Sequence, residues 1–440
     1  MTITRPLRLL FTTIDGGGNV APVMGVVAQL TQRGHSVRVM SETANQAEAA
    51  ATGARFAPWR RAPNRPIRAR ETDPADWAAP TPLHGIQDMF EKFLCGCALP
   101  YAQDVMDELR RERADLVINF DMLLGVMTGC EALSQRLALL STMSSMFPFP
   151  DTPPFGFALL PARTAAESVA IAKANETLIA MYDAGLPALN AARLTLGLAP
   201  LAHTLDQLNA ASVRWLGTAR AFDFVPEPVP SYVRYVGPLI RDPLDAAPWV
   251  SPWSASDARP LVLVSFSTGF QNHAACLQRV IDACAGLPVR VLVTLGGSIW
   301  PHEVQPAENT VVVTSAPHTV VMREATIVVT HGGHGTVMTA LMNRLPLLVI
   351  PHGRDQGDNS MRVTERGAGL SLPNTAKSEE FAAALLRLLK EPSFVEAARR
   401  LGDAVAAEVA SSQIVEEIES LARCADARVW LTDRDAGPRA

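Results

Sequence analysis

The sequence lacks the features of nucleic-acid-binding and zinc-binding proteins. Its 39 Lys and Arg residues are outnumbered by 44 Asp and Glu residues, which gives a net charge of −5 and no overall field that would attract a polyanion. The six cysteines show no zinc-site spacing, because Cys95 and Cys97 are too close together and lack a second ligand pair. We therefore expect reduced thiols in a cytoplasmic protein that binds neither nucleic acid nor a metal.

The sequence also lacks a long apolar run near its start. From Arg5 and Arg8 it passes through about seven apolar-leaning residues before Asp15 and three glycines, which is too short for a signal-peptide core or a spanning helix. We therefore expect a chain without stable membrane insertion. At the other end, residues 426–440 are polar and are predicted to form a flexible tail.

Apolar material is abundant, at 48% of 440 residues. A chain of this length exceeds what one hydrophobic core usually serves, so we predict two domains of roughly 200 residues each. The predicted units are an N-terminal domain at 1–225, a Pro-rich linker at 226–260, a C-terminal domain at 261–395, and helices at 396–425 that pack back towards the N-terminal domain, before the tail.

The N-terminal half has the pattern of a doubly wound sheet. A β-prone run ends in the glycine loop 15–19, and apolar residues then recur at helical spacing through Leu30 before the next strand. Strand, glycine loop, helix and strand in this order open a parallel sheet with right-handed crossovers. The strands predicted in this sheet are 8–14, 36–40, 116–120 and 137–141.

Two segments interrupt this regular pattern. Residues 58–100 are rich in Pro, Arg and Trp, and residues 146–161 are rich in Pro and Phe. In an otherwise regular α/β domain, such segments are usually insertions over the site. We therefore expect these two segments to contact a substrate and to govern which substrate is chosen.

The C-terminal half predicts a second doubly wound sheet. Its near-continuous runs of Val and Leu, separated by helical spacers, are typical of parallel strands that are buried on both faces. In such sheets, ligands bind outside the carboxyl ends of the strands, so the loops that follow the strands are where chemistry is expected. The predicted strands are 261–265, 289–294, 310–314, 326–330 and 346–350.

Two loops after these strands carry polar and glycine residues in a distinctive pattern. The first reads His331-Gly-Gly-His-Gly-Thr336 and leads into an apolar helix, so helix-start amides and the threonine hydroxyl can donate to phosphate oxygens. A plain glycine turn capped by His331 is the alternative. The second loop contains Asp355, Gln356 and Asn359, and the adjacent Asp and Gln offer acceptors and donors suited to vicinal sugar hydroxyls.

The paired motif His-Gly-Gly-x-Gly-Thr and Asp-Gln-x-x-Asn resembles the donor-site signature of the antibiotic and macrolide-type family of inverting glycosyltransferases. The resemblance covers most of the chain, since the N-terminal glycine loop with Arg33-Gly34-His35 and the Pro-rich connector are also typical of the family. It implies the GT-B fold, in which two doubly wound Rossmann-like domains face each other across a cleft. The acceptor would bind the N-terminal half and the nucleotide sugar, which is a co-substrate, the C-terminal half, without other cofactors.

The resemblance assigns donor-site roles by motif position. His331, Gly333, Gly335 and Thr336 would hold the diphosphate, with His334 close by. Residues 265–268, with Ser265 and Thr268, would add phosphate donors, and Asp355 and Gln356 would hold the sugar. Family members commonly stack the base on an aromatic residue before a Pro-Gln pair. That aromatic is missing here, which leaves backbone amides near Ala316 and His318 as the contacts to the base edge.

The expected catalytic base is a second departure from the family. Most inverting members place a His in the N-terminal loop, but this sequence has Asn19, whose amide cannot act as a base near neutral pH. Asn19 is instead predicted to cap the following helix. Asp15 is the first candidate for the base, against the alternative that it anchors the loop, and Asp121 is the second. An acceptor that ionises without a protein base is the third hypothesis.

The sequence therefore predicts direct transfer of a hexose or deoxyhexose from a UDP- or dTDP-sugar to a small natural-product acceptor, aromatic or polyketide, with inversion at the anomeric carbon. Helix amides and the imidazole of His331 would supply the positive potential for the leaving diphosphate, so no metal is required. The alternatives are a lipid or sterol glycosyltransferase, a non-catalytic nucleotide-sugar-binding partner of another transferase, and a sugar-nucleotide epimerase. The sequence leaves room for a homodimer.

Overall fold

The computed structural model describes residues 5–72, 78–241, 249–266, 269–297 and 299–424. The predicted donor residue Thr268 and the predicted tail lie outside these ranges. Two separate parallel sheets account for all the strands within them. This confirms the prediction of two doubly wound α/β domains.

The N-terminal sheet has seven strands in the order β3-β2-β1-β4-β5-β6-β7, so its topological switch point lies between β1 and β4. Its strands are β1 Arg8–Thr12, β2 Ser36–Ser41, β3 Arg55–Pro58, β4 Leu116–Phe120, β5 Leu137–Ser141, β6 Arg214–Leu216 and β7 Val233–Tyr235. The helices around it are α1 Val20–Gln32, α2 Gln46–Ala51, α3 Pro82–Asp88, α4 Ala98–Arg111, α5 Leu124–Ala132, α6 Ala165–Asp183 and α7 Leu186–Thr195. Short 3₁₀ or π segments lie at Thr43–Asn45, Arg70–Thr72, Met89–Cys95 and Thr204–Ala210.

The C-terminal sheet has six strands in the order β10-β9-β8-β11-β12-β13, with its switch point between β8 and β11. Its strands are β8 Leu261–Ser265, β9 Arg290–Thr294, β10 Thr310–Val313, β11 Ile327–Thr330, β12 Leu347–Val349 and β13 Gly369–Ser371. The helices are α8 Ala274–Ala285, α9 His318–Val321, α10 His334–Met342, α11 Gln356–Glu365, α12 Ser378–Lys390, α13 Pro392–Ala410 and α14 Ile414–Arg423, with a 3₁₀ turn at Pro301–Glu303.

Two predicted boundaries are wrong. The predicted linker 226–260 includes β7, which pairs with β6 in register from Arg214 with Val233, so the N-terminal sheet extends beyond residue 225. The strand β7 has only three residues and lies in a Pro-rich stretch, so the sequence pattern did not indicate it. The predicted helical unit 396–425 is divided, because α13 packs against α10 in the C-terminal domain and only α14 packs against α1. Ile418 of α14 lies in the same apolar cluster as Leu9 of β1.

The chain crosses between the domains twice, and the two crossings touch. The first follows β7 and the second joins α13 to α14. The hydroxyl of Ser412 in the second crossing donates to the carbonyl oxygen of Val236 in the first. A methyl group on Gly237 would lie 3.3 Å from the backbone of Val409, so the two segments are in close contact there. The two crossings therefore form one compact junction.

Buried polar contacts also join the domains beside the cleft. The guanidinium of Arg362 in α11 lies 2.8 Å from the carboxylate of Asp223, which lies in the connection between β6 and β7. Burial raises the pKa of Asp223, but Arg362 and the Tyr235 hydroxyl outweigh it and hold that pKa below its ordinary value. The carboxylate of Asp223 is therefore charged where it meets Arg362.

The packing of α4 against α5 provides a test of the N-terminal fold. A methyl group on Gly125 would lie 2.2 Å from the carbonyl oxygen of Ala98, so we expect Gly125→Ala to destabilise the protein by about 1–3 kcal/mol through overpacking. Urea unfolding followed by circular dichroism measures the effect. Gly286→Ala is the matched control, because a methyl group there meets nothing within 4 Å. Equal midpoints for both variants would contradict the close packing.

Candidate functional site

The glycine loop after β11 brings backbone donors to the edge of the C-terminal sheet. Gly332 has φ of 97°, and a methyl group on it would lie 2.7 Å from Val349, so both conformation and space require glycine. The first turn of a helix leaves its N–H groups without helical partners. At the start of α10 the His334 N–H donates to Asp355 at 3.2 Å, and the described part of the chain offers no acceptor to the N–H groups of Gly335 and Thr336.

His331 lies where the sequence predicts, at the end of β11, and its pKa is far below the ordinary value. Burial lowers the pKa of this imidazole to about 3, and His273, His352 and Arg354 nearby lower it as well. The ring is folded over the loop, because a methyl group on Gly333 would lie 2.5 Å from its Nε2. The imidazole is therefore neutral at pH 7 when no phosphate is bound, and its expected contribution to the diphosphate site stays a prediction.

Arg354, which the sequence analysis did not select, is a positively charged side chain close to His331. Its backbone is in the left-handed region with φ of 55°, and its Nη1 lies 3.5 Å from the carbonyl oxygen of Gly16 across the cleft. A methyl group on Gly17 would lie 3.0 Å from the same nitrogen. Arg354 thus places a cation between the glycine loop of the N-terminal domain and the loops of the donor side. Its position directly before the Asp-Gln pair was the only signal in the sequence.

The two predicted sugar-binding residues are largely engaged within the protein. Oδ2 of Asp355 accepts from the His334 N–H and, at 2.7 Å, from the side-chain amide of Asn359, and burial raises the pKa of Asp355. The Gln356 amide oxygen accepts from the His352 N–H at 2.7 Å, and its nitrogen donates to Gln271 at 2.8 Å. Asp355 therefore links α10 to α11, while the side chain of Gln356 is buried. Their roles in holding the sugar stay predictions.

The other predicted donor residues lie at the same sheet edge with different orientations. Ser265 is buried, and its hydroxyl lies 3.2 Å from Nε2 of His318. That imidazole is also 3.3 Å from the Thr294 hydroxyl, so it ties together the ends of β8 and β9. Ala316 is half-buried in the preceding loop. The imidazole of His334 is buried and its Nε2 lies 3.2 Å from the carbonyl oxygen of Gly217 in the N-terminal domain, so it contacts the domain junction.

Asn19 braces the N-terminal glycine loop and does not cap the helix through its side chain. Its amide oxygen accepts from the Gly16 N–H at 2.7 Å, and its nitrogen donates to the Ile14 carbonyl at 2.7 Å and the Thr13 hydroxyl at 3.2 Å. It makes no side-chain hydrogen bond to α1. The predicted capping role is therefore wrong, because the loop folds back and occupies the amide first.

Asp15 is held by neighbouring donors. One carboxylate oxygen accepts from the Gly17 N–H at 2.9 Å, and the other accepts from Nε of Arg68 at 2.6 Å. Its backbone N–H donates to Glu42 at 2.6 Å, and the guanidinium of Arg65 donates to its carbonyl oxygen. Both carboxylate oxygens of Asp15 are therefore engaged by neighbouring groups. The alternative weighed above, that Asp15 anchors the loop, is the role these contacts describe.

Asp121 directly follows β4 and is buried. The Ser141 hydroxyl and the Arg214 guanidinium lie nearby, but within the described residues no well-formed hydrogen bond reaches either carboxylate oxygen. Burial raises the pKa of Asp121 to about 6, although Arg214 and Ser141 oppose the rise. A carboxylate with this pKa is poised to exchange a proton near neutral pH.

Neither metal ligands nor membrane spans stand out in the described ranges. No group of three or more His, Cys, Asp and Glu side chains there is arranged to hold a metal ion. No helix in the same ranges combines the length and the apolar character needed to cross a bilayer. The six cysteines are free thiols, four of them buried.

The chain is similar in sequence to proteins of antibiotic biosynthesis. Residues 278–421 match the family model described as the C-terminal domain of erythromycin biosynthesis protein CIII-like proteins. Over 424 residues the chain is 29% identical to 4'-demethylrebeccamycin synthase of Lentzea aerocolonigenes, a match that covers 94% of this chain and 99% of that protein.

Solved glycosyltransferases share the fold over nearly the whole chain. The glycotransferase of kitacinnamycin superposes with a TM-score of 0.73 at 18% identity, covering 95% of this chain and 99% of that chain. CalG4, the calicheamicin glycosyltransferase, gives a TM-score of 0.71 at 20% identity, covering 96% of this chain and 100% of that chain. These likenesses confirm the predicted GT-B architecture.

The brace formed by Asn19 can be tested by its removal. Asn19→Ala would leave the Gly16 N–H and the Ile14 carbonyl without their partner, so we expect a loss of about 1–3 kcal/mol in the free energy of unfolding. Urea unfolding measures it. The control is Gln32→Ala, which truncates an exposed side chain at the other end of α1. If Asn19→Ala were as stable as this control, the hydrogen bonds of the amide would not support the loop.

Proposed function

We propose a specific sugar-transfer reaction for this chain, which belongs to the antibiotic-type glycosyltransferases with the GT-B fold. In this reaction a hexose or deoxyhexose passes from a UDP- or dTDP-sugar to a small natural-product acceptor. The acceptor would lie on the N-terminal side of the cleft and the nucleotide sugar on the C-terminal side. The acceptor attacks the anomeric carbon directly from the face opposite the nucleotide, so an α-linked donor gives a β-glycoside.

The observation that carries the proposal is the set of positive and donor groups at the start of α10. In this proposal the diphosphate lies against the N–H groups of Gly335 and Thr336 and the positive end of the helix dipole, and Arg354 adds a full charge from the neighbouring loop. Such groups stabilise the charge that develops on a departing diphosphate. We propose that they take the place of a metal ion in this reaction.

The neutral imidazole of His331 contributes in a different way. Since its pKa is lowered to about 3, the imidazole can donate one hydrogen bond and accept another, and it brings no full charge to the phosphates. Its ring packs against Gly333 and thereby fixes the path of the loop. We propose that His331 shapes the diphosphate site while Arg354 supplies its charge.

Asp121 is the base that the contacts favour. Asp15 has both carboxylate oxygens occupied by Gly17 and Arg68, whereas those of Asp121 lack well-formed partners in the described part of the chain. A pKa of about 6 keeps Asp121 ionised at pH 7 while leaving it able to accept a proton. We propose that it takes the proton of the acceptor hydroxyl, directly or through one water molecule.

The reaction itself is tested with purified protein, a panel of UDP- and dTDP-sugars, and phenolic and polyketide acceptors. Release of nucleoside diphosphate together with a new β-glycoside, detected by mass spectrometry and proton coupling constants, would support the proposal. An α-glycoside would overturn direct inversion. Binding of nucleoside diphosphate without release from any donor would instead favour a non-catalytic binding partner.

Arg354 provides a test of the diphosphate site. Arg354→Gln removes the charge and leaves a shorter polar side chain, so we expect kcat to fall at least tenfold, about 1.4 kcal/mol in the barrier, with an unchanged midpoint of unfolding. Steady-state kinetics and a thermal melt measure the two quantities. Arg400→Gln, on the exposed face of α13, is the control and should leave kcat unchanged. Full activity in Arg354→Gln would remove Arg354 from the mechanism.

Asp121 is tested by kinetics across pH. The ionised form is the active base, so kcat of the wild type should rise from pH 5 to pH 7 with a midpoint near 6 and then level off. Asp121→Asn should lower kcat by about 10²–10⁴ and remove this rise. Asp15→Asn, the competing variant, should affect stability more than rate. If neither variant slows the reaction, the acceptor ionises unaided and the rate should follow the acceptor's own pKa.

A further inference from the structure

The segment 153–159 of the N-terminal domain is attached to the donor side of the cleft by one carboxylate. Asp358, in the first turn of α11, accepts a hydrogen bond from the Gly156 N–H at 2.7 Å and another from the Ala158 N–H at 2.9 Å. The two donors belong to the Pro- and Phe-rich insertion expected to contact the acceptor. A single side chain of the donor domain therefore holds two backbone groups of the acceptor domain.

The segment adopts a conformation that requires such a support. Gly156 has φ of 84° and Ala158 has φ of 50°, and the left-handed region costs a residue with a side chain roughly 1 kcal/mol. The neighbouring Gly357 packs closely, because a methyl group on it would lie 3.2 Å from Cβ of Ala158. The hydrogen bonds that Asp358 accepts thus hold the segment in this left-handed conformation.

The environment of Asp358 makes these two hydrogen bonds important. The residue is buried, which raises the pKa of its carboxyl to about 6, and the nearby Arg362 guanidinium and the two N–H donors oppose that rise. A buried carboxylate depends on its donors because water cannot replace them. Detachment of the segment would therefore expose Asp358 to solvent. The burial of the carboxylate and the attachment of the segment thus depend on each other.

The same helical turn begins with the residues assigned to the donor sugar. Asp355 and Gln356 start α11, and Asp358 follows within one turn, so their positions are rigidly related. A small cavity separates α11 from the segment. Its lining comes from both domains and includes Ser144, whose buried hydroxyl has no partner in the described residues, together with Phe155, Leu159, Asp355 and Asn359.

From this arrangement we infer that Asp358 is a positioning residue that couples occupation of the donor site to the shape of the acceptor site. The inference rests on the proposed function. Binding of the nucleotide sugar fixes the start of α11 and so presents the carboxylate to Gly156 and Ala158. The wall of the acceptor site then forms, which makes binding ordered, donor first. By linkage, the acceptor strengthens donor binding by the same factor.

Hydrogen exchange measured by mass spectrometry tests the coupling without a known acceptor. The probes are UDP and dTDP, and the wild-type protein is compared with Asp358→Asn, in which an amide nitrogen replaces one accepting oxygen. We expect saturating nucleotide to slow exchange of the wild-type peptide over 153–159 at least tenfold and to have less than a twofold effect on that peptide in the variant. Glu365→Gln is the matched control, since it breaks the exposed ion pair between Arg163 and Glu365 on the same helix.

The peptide over 331–336 separates the two possible failures. If neither nucleotide slows exchange there, the donor site and with it the proposed function fail. If exchange slows over 331–336 but not over 153–159 in the wild type, the coupling alone is overturned, whatever the folding of the variant. Slowing over 153–159 that persists in Asp358→Asn would also overturn it. In kinetics, the coupling predicts that Asp358→Asn raises the acceptor KM at least fivefold, while the Kd of UDP or dTDP measured without acceptor stays within twofold and Glu365→Gln changes neither.

Discussion

The donor side of the cleft depends on the carboxylate of Asp355, which joins the starts of two helices. One oxygen accepts from the backbone of His334 at the start of α10 and from Asn359 in α11. Two helix N-termini that point towards one place repel each other through their partial positive charges, and a shared acidic group offsets this repulsion. The glycine loop, the cation of Arg354 and the carboxylate of Asp358 all take their positions from this junction.

The charge of the site is distributed differently from what its residue types suggest. Three imidazoles, of His273, His331 and His352, lie at the edge of the C-terminal sheet, and burial lowers the pKa of each to about 3 or 4. They pack as neutral rings, and the ring centroids of His273 and His352 are 5.8 Å apart. At this edge of the sheet, full positive charge is left to Arg354 at the margin of the cleft, where the substrates would meet it.

The sequence predicted the long buried strands and the two donor loops because those features are local. Residues 116–120 and 137–141 match β4 and β5, and the loop from His331 to Thr336 lies at the predicted sheet edge. Strands of three or four residues, such as β3, β7 and β13, were missed or assigned to a linker because pairing partners far along the chain define them. Asn19, Asp15 and Gln356 form hydrogen bonds with partners that the sequence spacing does not reveal. The contacts of Arg354 and Asp358 could not be predicted for the same reason.

The contact between the two chain crossings has a mechanical consequence. The hydroxyl of Ser412 donates to the carbonyl oxygen of Val236, and the two crossings run side by side. The two covalent connections between the domains therefore lie at one place in the molecule and not at two separated ones. Two separated connections would define a hinge axis and would allow the domains to rotate only about that axis. With both connections at one place, the two domains are free to twist as well as to open relative to each other. The side-chain contacts along the rest of the cleft then decide which of these movements occurs.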